Sequence, residues 1–551
     1  MIFFKKYIVP LTPNQKKERN RDLLLGLSSG ILLGLSYPPI PLPFLSFVSF
    51  IPYLFVIEKR ETLLSTNRFT YYTLFFFNLI TLYWVGSWTK EADTFLMISG
   101  AVLLFFNPLF YLIITTLYHF SKKSFGKKAA LFLFPFYWIT FEFLYSLTDL
   151  RFPWLTLGNS TPYFRHFIQI SDIVGVYGLS LIILFINIFL YLFIKEFKSN
   201  KKLNYKYLSS ALIIFLLVIV YGFIRINNFY VSDRKIKVGL VQPNLNPWSK
   251  WQAGNLDAQL DIYIKLSEQA IIKGAKLIVW PESALPVYLL SGNYDFEVSR
   301  IHEFVTSNNI FLMTGMPDAN FYFNKSEAPK DAKETRSGTS YTSYNSILLF
   351  TPHSQKVKKY GKIKLVPFGE HVPFVEQLPF LGDFIKWEVG ISSWNVGKDQ
   401  VVFNLNETNN SVVKIAGVVC IESIYPEFVA GFIQKGADLI TVVTNDSWYG
   451  YSSGPFQHKE ISVLRAVENR KSVIRAANGG ISCIIDPLGN TLASTKLYTR
   501  DILVGDVIIN EGQTFYSRFP WTFPLLSSLI SVLTIIIFIY KKILNKTKKQ
   551  S

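Results

Sequence analysis

Three chemically distinct groups stand at or near the ends of short apolar runs that lie far apart in the chain. Cys420 closes VVKIAGVVC (412–420), Glu282 sits in AKLIVWPES (275–283), and Lys362 lies in YGKIKLVPFGEHVPF with Glu370 eight residues on. A thiol becomes a nucleophile once it loses its proton. A carboxylate can take that proton, and a fixed ammonium can hold the oxyanion of a tetrahedral intermediate. Cys, Glu and Lys are therefore a complete set for acyl transfer through a thioester. Taken singly, Cys420 reads equally as an inert core thiol and Lys362 as a solvated charge; the chemistry is argued from the set. Glu422, two residues past the thiol, either lines the site or caps the turn. Glu370 either joins the site or orients Lys362 as an ion-pair partner. Asn345, in YNSILLF (344–350), is the third supporting residue.

Groups so far apart meet only if the elements between them bring strand ends together. KIKVGLVQPN (235–244), AKLIVWPES, IFLMTGMPD (310–318), YNSILLF, VVKIAGVVC, ADLITVVTND (437–446) and ISCIIDPLGN (481–490) are apolar runs closed by Pro, Asp or other polar residues. Such runs read as buried strands. Leu256, Leu260, Ile264 and Ile271 fall at helical spacing, and further helices are expected near 296–307 and 457–470. Strands alternating with helices predict an α/β layered domain over 230–512. In open α/β sheets, ligands gather at the carboxyl ends of strands.

The rest of the chain is apolar. Half of all residues are hydrophobic, a membrane-protein composition. Expected spans lie near 23–39, 42–57, 69–88, 95–118, 129–147, 174–194, 208–226 and 522–540, most of a length that crosses about 30 Å of hydrocarbon. The second is interrupted by Pro41, Pro43 and Pro52. The formal charge of +18 is not a nucleic-acid signal once its location is read. Lys5, Lys6, Lys16, Lys17, Arg19 and Arg21 precede the first stretch. Lys122, Lys123, Lys127 and Lys128 lie between the fourth and fifth, and Lys195, Lys198, Lys201, Lys202 and Lys206 between the sixth and seventh. Lys541, Lys542, Lys546, Lys548 and Lys549 follow the last. If all eight cross, these clusters share one side, which the positive-inside rule makes cytoplasmic. Both termini are then cytoplasmic and 230–512 faces outward. The first stretch lacks a small-residue cleavage site and is expected to be retained. Two cysteines are too few for a disulfide framework, and no Cys/His spacing suggests a metal site.

WPES, YGKIKLVPFGE and VVCIES resemble the motifs of the nitrilase, or carbon–nitrogen hydrolase, superfamily, and TNDSWYG (444–450), Gln457-His458 and RAANGGIS (475–482) match its downstream blocks. The resemblance implies an αββα sandwich with Glu282 as general base, Lys362 as catalytic lysine, Glu370 as second glutamate and Cys420 as nucleophile. Such a domain between the last two of eight spans resembles the apolipoprotein N-acyltransferases of the bacterial inner membrane. FPWLTLG (152–158) looks like that family's FPWLxxG segment, and VQPN followed by Lys250 and Trp251 like the start of its catalytic domain. Ile421 stands where the family usually has an aromatic residue, and Tyr145 where it usually has Arg.

The domains expected are 1–229 with seven spans, a periplasmic catalytic domain over 230–512, and 513–551 with the eighth span and a basic cytoplasmic tail. The implied reaction is ping-pong. The acyl donor is a phospholipid, phosphatidylethanolamine in the resembled family, and the acceptor is the N-terminal amine of a diacylated apolipoprotein; no cofactor is implied. Trp154, Trp251, Trp387 and Trp394 are candidate substrate contacts, with Trp154 and Trp251 readable instead as interfacial aromatics. FLGDFIKWEVGISSW (380–394) is a candidate lid. His458 reads as a hydrogen-bonded structural residue. Two other readings stand beside this one: a membrane-tethered amidase that uses water, and a transporter or assembly protein carrying a degenerate hydrolase domain.

Overall fold

The computed structural model describes residues 11–90, 92–201, 203–250, 256–374, 394–406 and 412–547. The chain opens on the helix Pro13–Leu35, started by a capping box in which Thr12 and Gln15 satisfy each other's backbone N–H groups. Helices Leu63–Leu82, Thr94–Phe110, Leu112–Phe125, Lys127–Leu147, Ser171–Asn200, Tyr205–Asn227 and, at the far end, Thr522–Thr547 follow. Among the described residues, five helices are long and apolar enough to cross a membrane: Thr94–Phe125, Lys127–Leu147, Ser171–Asn200, Tyr205–Asn227 and Thr522–Asn545. The other three expected spans fall short of that composition or length. Pro13–Leu35 carries Lys16, Lys17, Glu18, Arg19, Arg21 and Asp22 in its first half. Leu63–Leu82 is rich in Thr, Tyr and Asn. The third, 42–57, is a 3-10 turn Pro43–Phe47 followed by the short helix Phe50–Ile57. At 1.5 Å per residue this piece is about 22 Å long, against roughly 30 Å of hydrocarbon.

Among the described residues, thirteen strands build two sheets. The first contains β1 (Lys235–Gln242), β2 (Leu277–Trp280), β3 (Phe311–Tyr322), β4 (Lys333–Glu334), β5 (Ser340–Thr351) and β6 (Ser354–Gly361). The second contains β7 (Val402–Asn406), β8 (Val412–Val419), β9 (Leu439–Thr444), β10 (Ser472–Ala477), β11 (Cys483–Ile485) and β12 (Thr491–Ser494). The last strand, β13 (Asp501–Ile508), returns to the first sheet. The orders are β13-β1-β2-β3-β5-β4, with β6 on β5, and β12-β11-β10-β9-β8-β7. Each sheet has three parallel strands, β1-β2-β3 and β8-β9-β10, flanked by antiparallel ones. Helices Leu256–Ile272 and Asp295–Ser307 cover the outer face of the first sheet, while Pro426–Gln434 and Gly454–Asn469 cover the second. The layers therefore run helix, sheet, sheet, helix.

Every strand read from an apolar run is present. The central strand β10 is not among those runs, because Arg475 interrupts SVIRAA. Arg475 is nevertheless fully buried, with its charge met by Asp446 at 2.5 Å and by the Ile481 carbonyl at 2.6 Å. A buried charge is tolerated when it is paired in this way.

Candidate active site

Glu282 stands two residues past β2, whose four residues are all buried. Lys362 follows β6 directly, and its backbone N–H donates to the Asn345 carbonyl of β5 at 2.8 Å. Cys420 follows β8 at φ +49°, in the left-handed region, with Ser283 at the same value on the other sheet. Such backbone in non-glycine residues is uncommon and clusters at functional sites.

These three turns converge. Lys362 Nζ donates to Glu370 at 2.8 Å and to Glu282 Oε1 at 3.4 Å, and the lysine is fully buried. The side-chain amide of Asn345 bridges the same two carboxylates, donating to Glu282 at 2.7 Å and to Glu370 at 2.9 Å. Glu370 also accepts the Val366 N–H at 2.9 Å. Burial alone would discharge Lys362; the adjoining charges of Glu370, then Glu282, outweigh it and hold the ammonium well above its ordinary value. Burial and the Glu282 charge push the Cys420 thiol up, with Lys362 opposing. The thiol is therefore harder to ionise than a free cysteine, and it lies beside the ion pairs of Lys362 with Glu370 and Glu282.

Glu422 is not in contact with the cavity. It is fully buried and accepts from Tyr360 Oη at 2.7 Å, Ile363 N at 2.7 Å, Lys364 N at 3.1 Å and Val419 N at 2.9 Å. Of the two readings, the geometry is that of a clamp, joining the end of β6 to the end of β8. His458 accepts or donates through Nε2 to Ser423 Oγ at 2.9 Å and meets Cys420 O at 3.2 Å, while Nδ1 faces Asp446 at 2.9 Å. Arg475, then His458, hold the Asp446 carboxyl well below its usual range against its burial.

A cavity of about 100 Å³ is lined by Glu282, Asn345, Lys362, Glu370, Trp394 and Cys420. A second, of about 140 Å³, shares Cys420, Leu96, Val366, Gly369 and Tyr449 with it and continues along Trp84, Leu103, Phe152 and Trp154. Leu96 and Leu103 belong to the apolar helix Thr94–Phe110, so the thiol is a common wall between the cavity that holds the charged groups and one lined in part by that helix. Trp394 and Trp154 thus line one cavity each. Trp251, Trp387 and most of the candidate lid lie outside the described residues. Sequence reasoning missed Asn445, Trp448 and Tyr449, although they follow β9 and the strand-end argument applied to TNDSWYG would have included them. It also gave no role to Lys250, which is buried and donates to the Ser283 carbonyl at 2.5 Å.

Two family models match the chain: the carbon–nitrogen hydrolase family over residues 237–515 and the apolipoprotein N-acyltransferase N-terminal domain over residues 29–189. Similar proteins include the apolipoprotein N-acyltransferase of Chlorobaculum tepidum, 32% identical over 508 residues, which are 91% of this chain and 93% of that one. That of Geobacter metallireducens is 30% identical over 512 residues, 91% and 92% of the two chains. That of Rickettsia bellii is 32% identical over 541 residues, 95% and 98%. The likeness spans the helical and the sandwich portions together, and from it this chain belongs to the apolipoprotein N-acyltransferase family.

Proposed function

We propose that this N-acyltransferase moves a fatty acyl group from a phospholipid to the N-terminal amine of a diacylglyceryl-cysteine apolipoprotein, through a thioester on Cys420. Glu282 takes the thiol proton as sulfur attacks the ester carbonyl. Lys362 and nearby backbone N–H groups hold the oxyanion, each such donor contributing about 3–4 kcal/mol. The intermediate collapses, the lysophospholipid oxygen leaves with the proton from Glu282, and the acyl group stays on sulfur. The acceptor amine then attacks the thioester and loses a proton to Glu282, which returns it to the departing sulfur. Glu370 and Asn345 keep Lys362 and Glu282 in register, and Glu422 holds the turns that carry Lys362 and Cys420. Trp154 and Trp394 contact substrate.

The observation that carries this reading is the position of Cys420 as the shared wall of the cavity that holds Glu282, Lys362 and Glu370 and of a second, apolar cavity lined by Trp84, Leu103, Phe152 and Trp154. A water-using amidase has no need of the second. The donor proposed is phosphatidylethanolamine, through its sn-1 chain. Purified protein incubated with that lipid should gain one fatty-acyl mass on Cys420, lost on adding a diacylated lipopeptide that gains it. Loss of the acyl group to water, with no acylated peptide, would make the chain a hydrolase instead.

The membrane arrangement proposed is eight crossings in a bacterial inner membrane, with 1–229 and 513–551 membrane-embedded, 230–512 in the periplasm and both termini cytoplasmic. The basic clusters support it. Phe323 is 95% exposed at the end of β3. In a C420S background, F323C should react with a membrane-impermeant maleimide added outside spheroplasts; protection there and labelling only after lysis would reverse the topology.

A further inference from the structure

None of the steps above uses Gln457, which is buried at 3% exposure near the start of the helix Gly454–Asn469. Its Oε1 accepts two indole N–H groups, from Trp154 at 2.7 Å and from Trp84 at 3.1 Å. Its Nε2 donates to the Thr81 carbonyl at 3.1 Å. Trp84 lies in the turn Tyr83–Gly86 after the helix Leu63–Leu82, and Trp154 in the turn Pro153–Leu155. One amide of the sandwich therefore anchors two turns from remote parts of the helical portion.

The anchored rings form a continuous wall. Trp84 and Trp154 lie 4.8 Å apart, Tyr449 meets Trp84 edge-on at 4.7 Å, and Phe152 stacks on Trp154 at 5.7 Å. All four line the larger cavity, and Cys420 lies on the same surface. The adjacent His458 contacts the Cys420 carbonyl. Two neighbouring residues thus hold the aromatic wall and the turn that bears the thiol.

We propose that Gln457 determines acyl-chain specificity: by holding Trp84 and Trp154 in one orientation it fixes the width and depth of the apolar cavity, and so selects which acyl chain reaches Cys420. This rests on the thioester reading above. A buried indole N–H seeks an acceptor, so both rings are tied to the one oxygen. A rigid apolar pocket separates chains differing by a methylene by about tenfold or more, whereas walls free to repack admit several. Gln457 touches no reacting atom and acts through the rings.

The test presents full-length protein in vesicles with an equimolar mixture of phosphatidylethanolamines differing only in sn-1 chain: lauroyl, palmitoyl and arachidoyl. Intact mass gives the distribution of acyl groups on Cys420. The parent should favour one chain, and Q457L should flatten that preference by about tenfold. Q457E, which keeps an oxygen that accepts the two indoles but loses the donor to the Thr81 carbonyl, should retain more of the parent's preference than Q457L. Should Q457L not accumulate as folded protein, Q457N, one methylene shorter, is read in the same way. A flat parent distribution overturns the proposal. So does a variant whose total acylation falls while its distribution stays the parent's, the result of a merely structural role. No acyl mass on the parent's Cys420 overturns the thioester reading, and this inference with it.

Discussion

One ammonium separates two carboxylates that share a single amide. Lys362 is the counter-charge for Glu282 and Glu370, and Asn345 cannot replace it because an amide carries no charge. K362A should leave two buried carboxylates facing one another and cost about 3–5 kcal/mol of stability, read as a lowered unfolding midpoint. Adding E370Q should recover part of that stability while acyl-enzyme stays absent, because the oxyanion donor is still missing. A K362A protein as stable as the parent would remove the ion pair from the argument. Lys250 makes a second, pH-dependent prediction. Burial holds its pKa down to about 8, with Glu282 opposing, against about 10.4 in an unfolded chain. Above pH 8 the folded protein has released this proton while the unfolded chain retains it, so the lysine's contribution to stability rises with pH up to about 10. Below pH 8 its cost is constant. Urea unfolding at pH 7.5 and pH 10 should therefore show the parent gaining on K250M by up to about 3 kcal/mol as pH rises.

The strands bring these residues together through close backbone approaches. A Cβ on Gly315 of β3 would lie 2.5 Å from the Glu282 Cα and 2.8 Å from the Pro281 carbonyl. Those are backbone atoms that no rotamer change can clear, and the Gly315 carbonyl also accepts the Ala284 N–H at 2.7 Å. G315A should push the Glu282 turn away from Cys420. A displacement of an ångström is worth on the order of a hundredfold in rate, so acyl-enzyme formation should fall by about that factor in a protein that still folds; an unchanged rate would show that the Glu282 position is not limiting. The strand ends were legible from apolar runs closed by polar residues. Beyond those runs, the tie that Glu422 makes between the ends of β6 and β8 was not, since Glu422 is two residues from the thiol in sequence but accepts from the backbone around Lys362 in space.

At the scale of the whole molecule, the sandwich and the helices contribute to one continuous buried apolar cluster. Asp172, at the start of the helix Ser171–Asn200, accepts from Arg470 Nη2 at 2.8 Å, Arg225 Nε at 2.8 Å and Tyr221 Oη at 2.7 Å. Arg470 also donates to Gln169 Oε1 at 2.6 Å. Nearby, Glu468 accepts the Val176 N–H at 2.8 Å while pairing with Arg465. D172A should strand Arg470 without its carboxylate and cost about 3–5 kcal/mol. Because the junction lies far from Cys420 in the chain, the loss should appear as earlier proteolysis between the two portions, with Cys420 acylation preserved in the protein that remains folded.

The residues of the sequence alone determined the kind of chemistry, the layered α/β character of 230–512 and the apolar nature of the rest. Side-chain type and the spacing of apolar residues carry that information locally. They also located Glu282 and Cys420 at the ends of two of the apolar runs, whereas β6, the polar strand that Lys362 follows, was not among them. Only the tertiary structure decided that Glu422 is a backbone clamp, that Arg475 sits in a central strand, and that Gln457 joins two tryptophans seventy residues apart in the chain. Each of these depends on a contact between segments tens to hundreds of residues apart. Whether a polar side chain is solvated, paired or orphaned is set by what the rest of the chain brings to it.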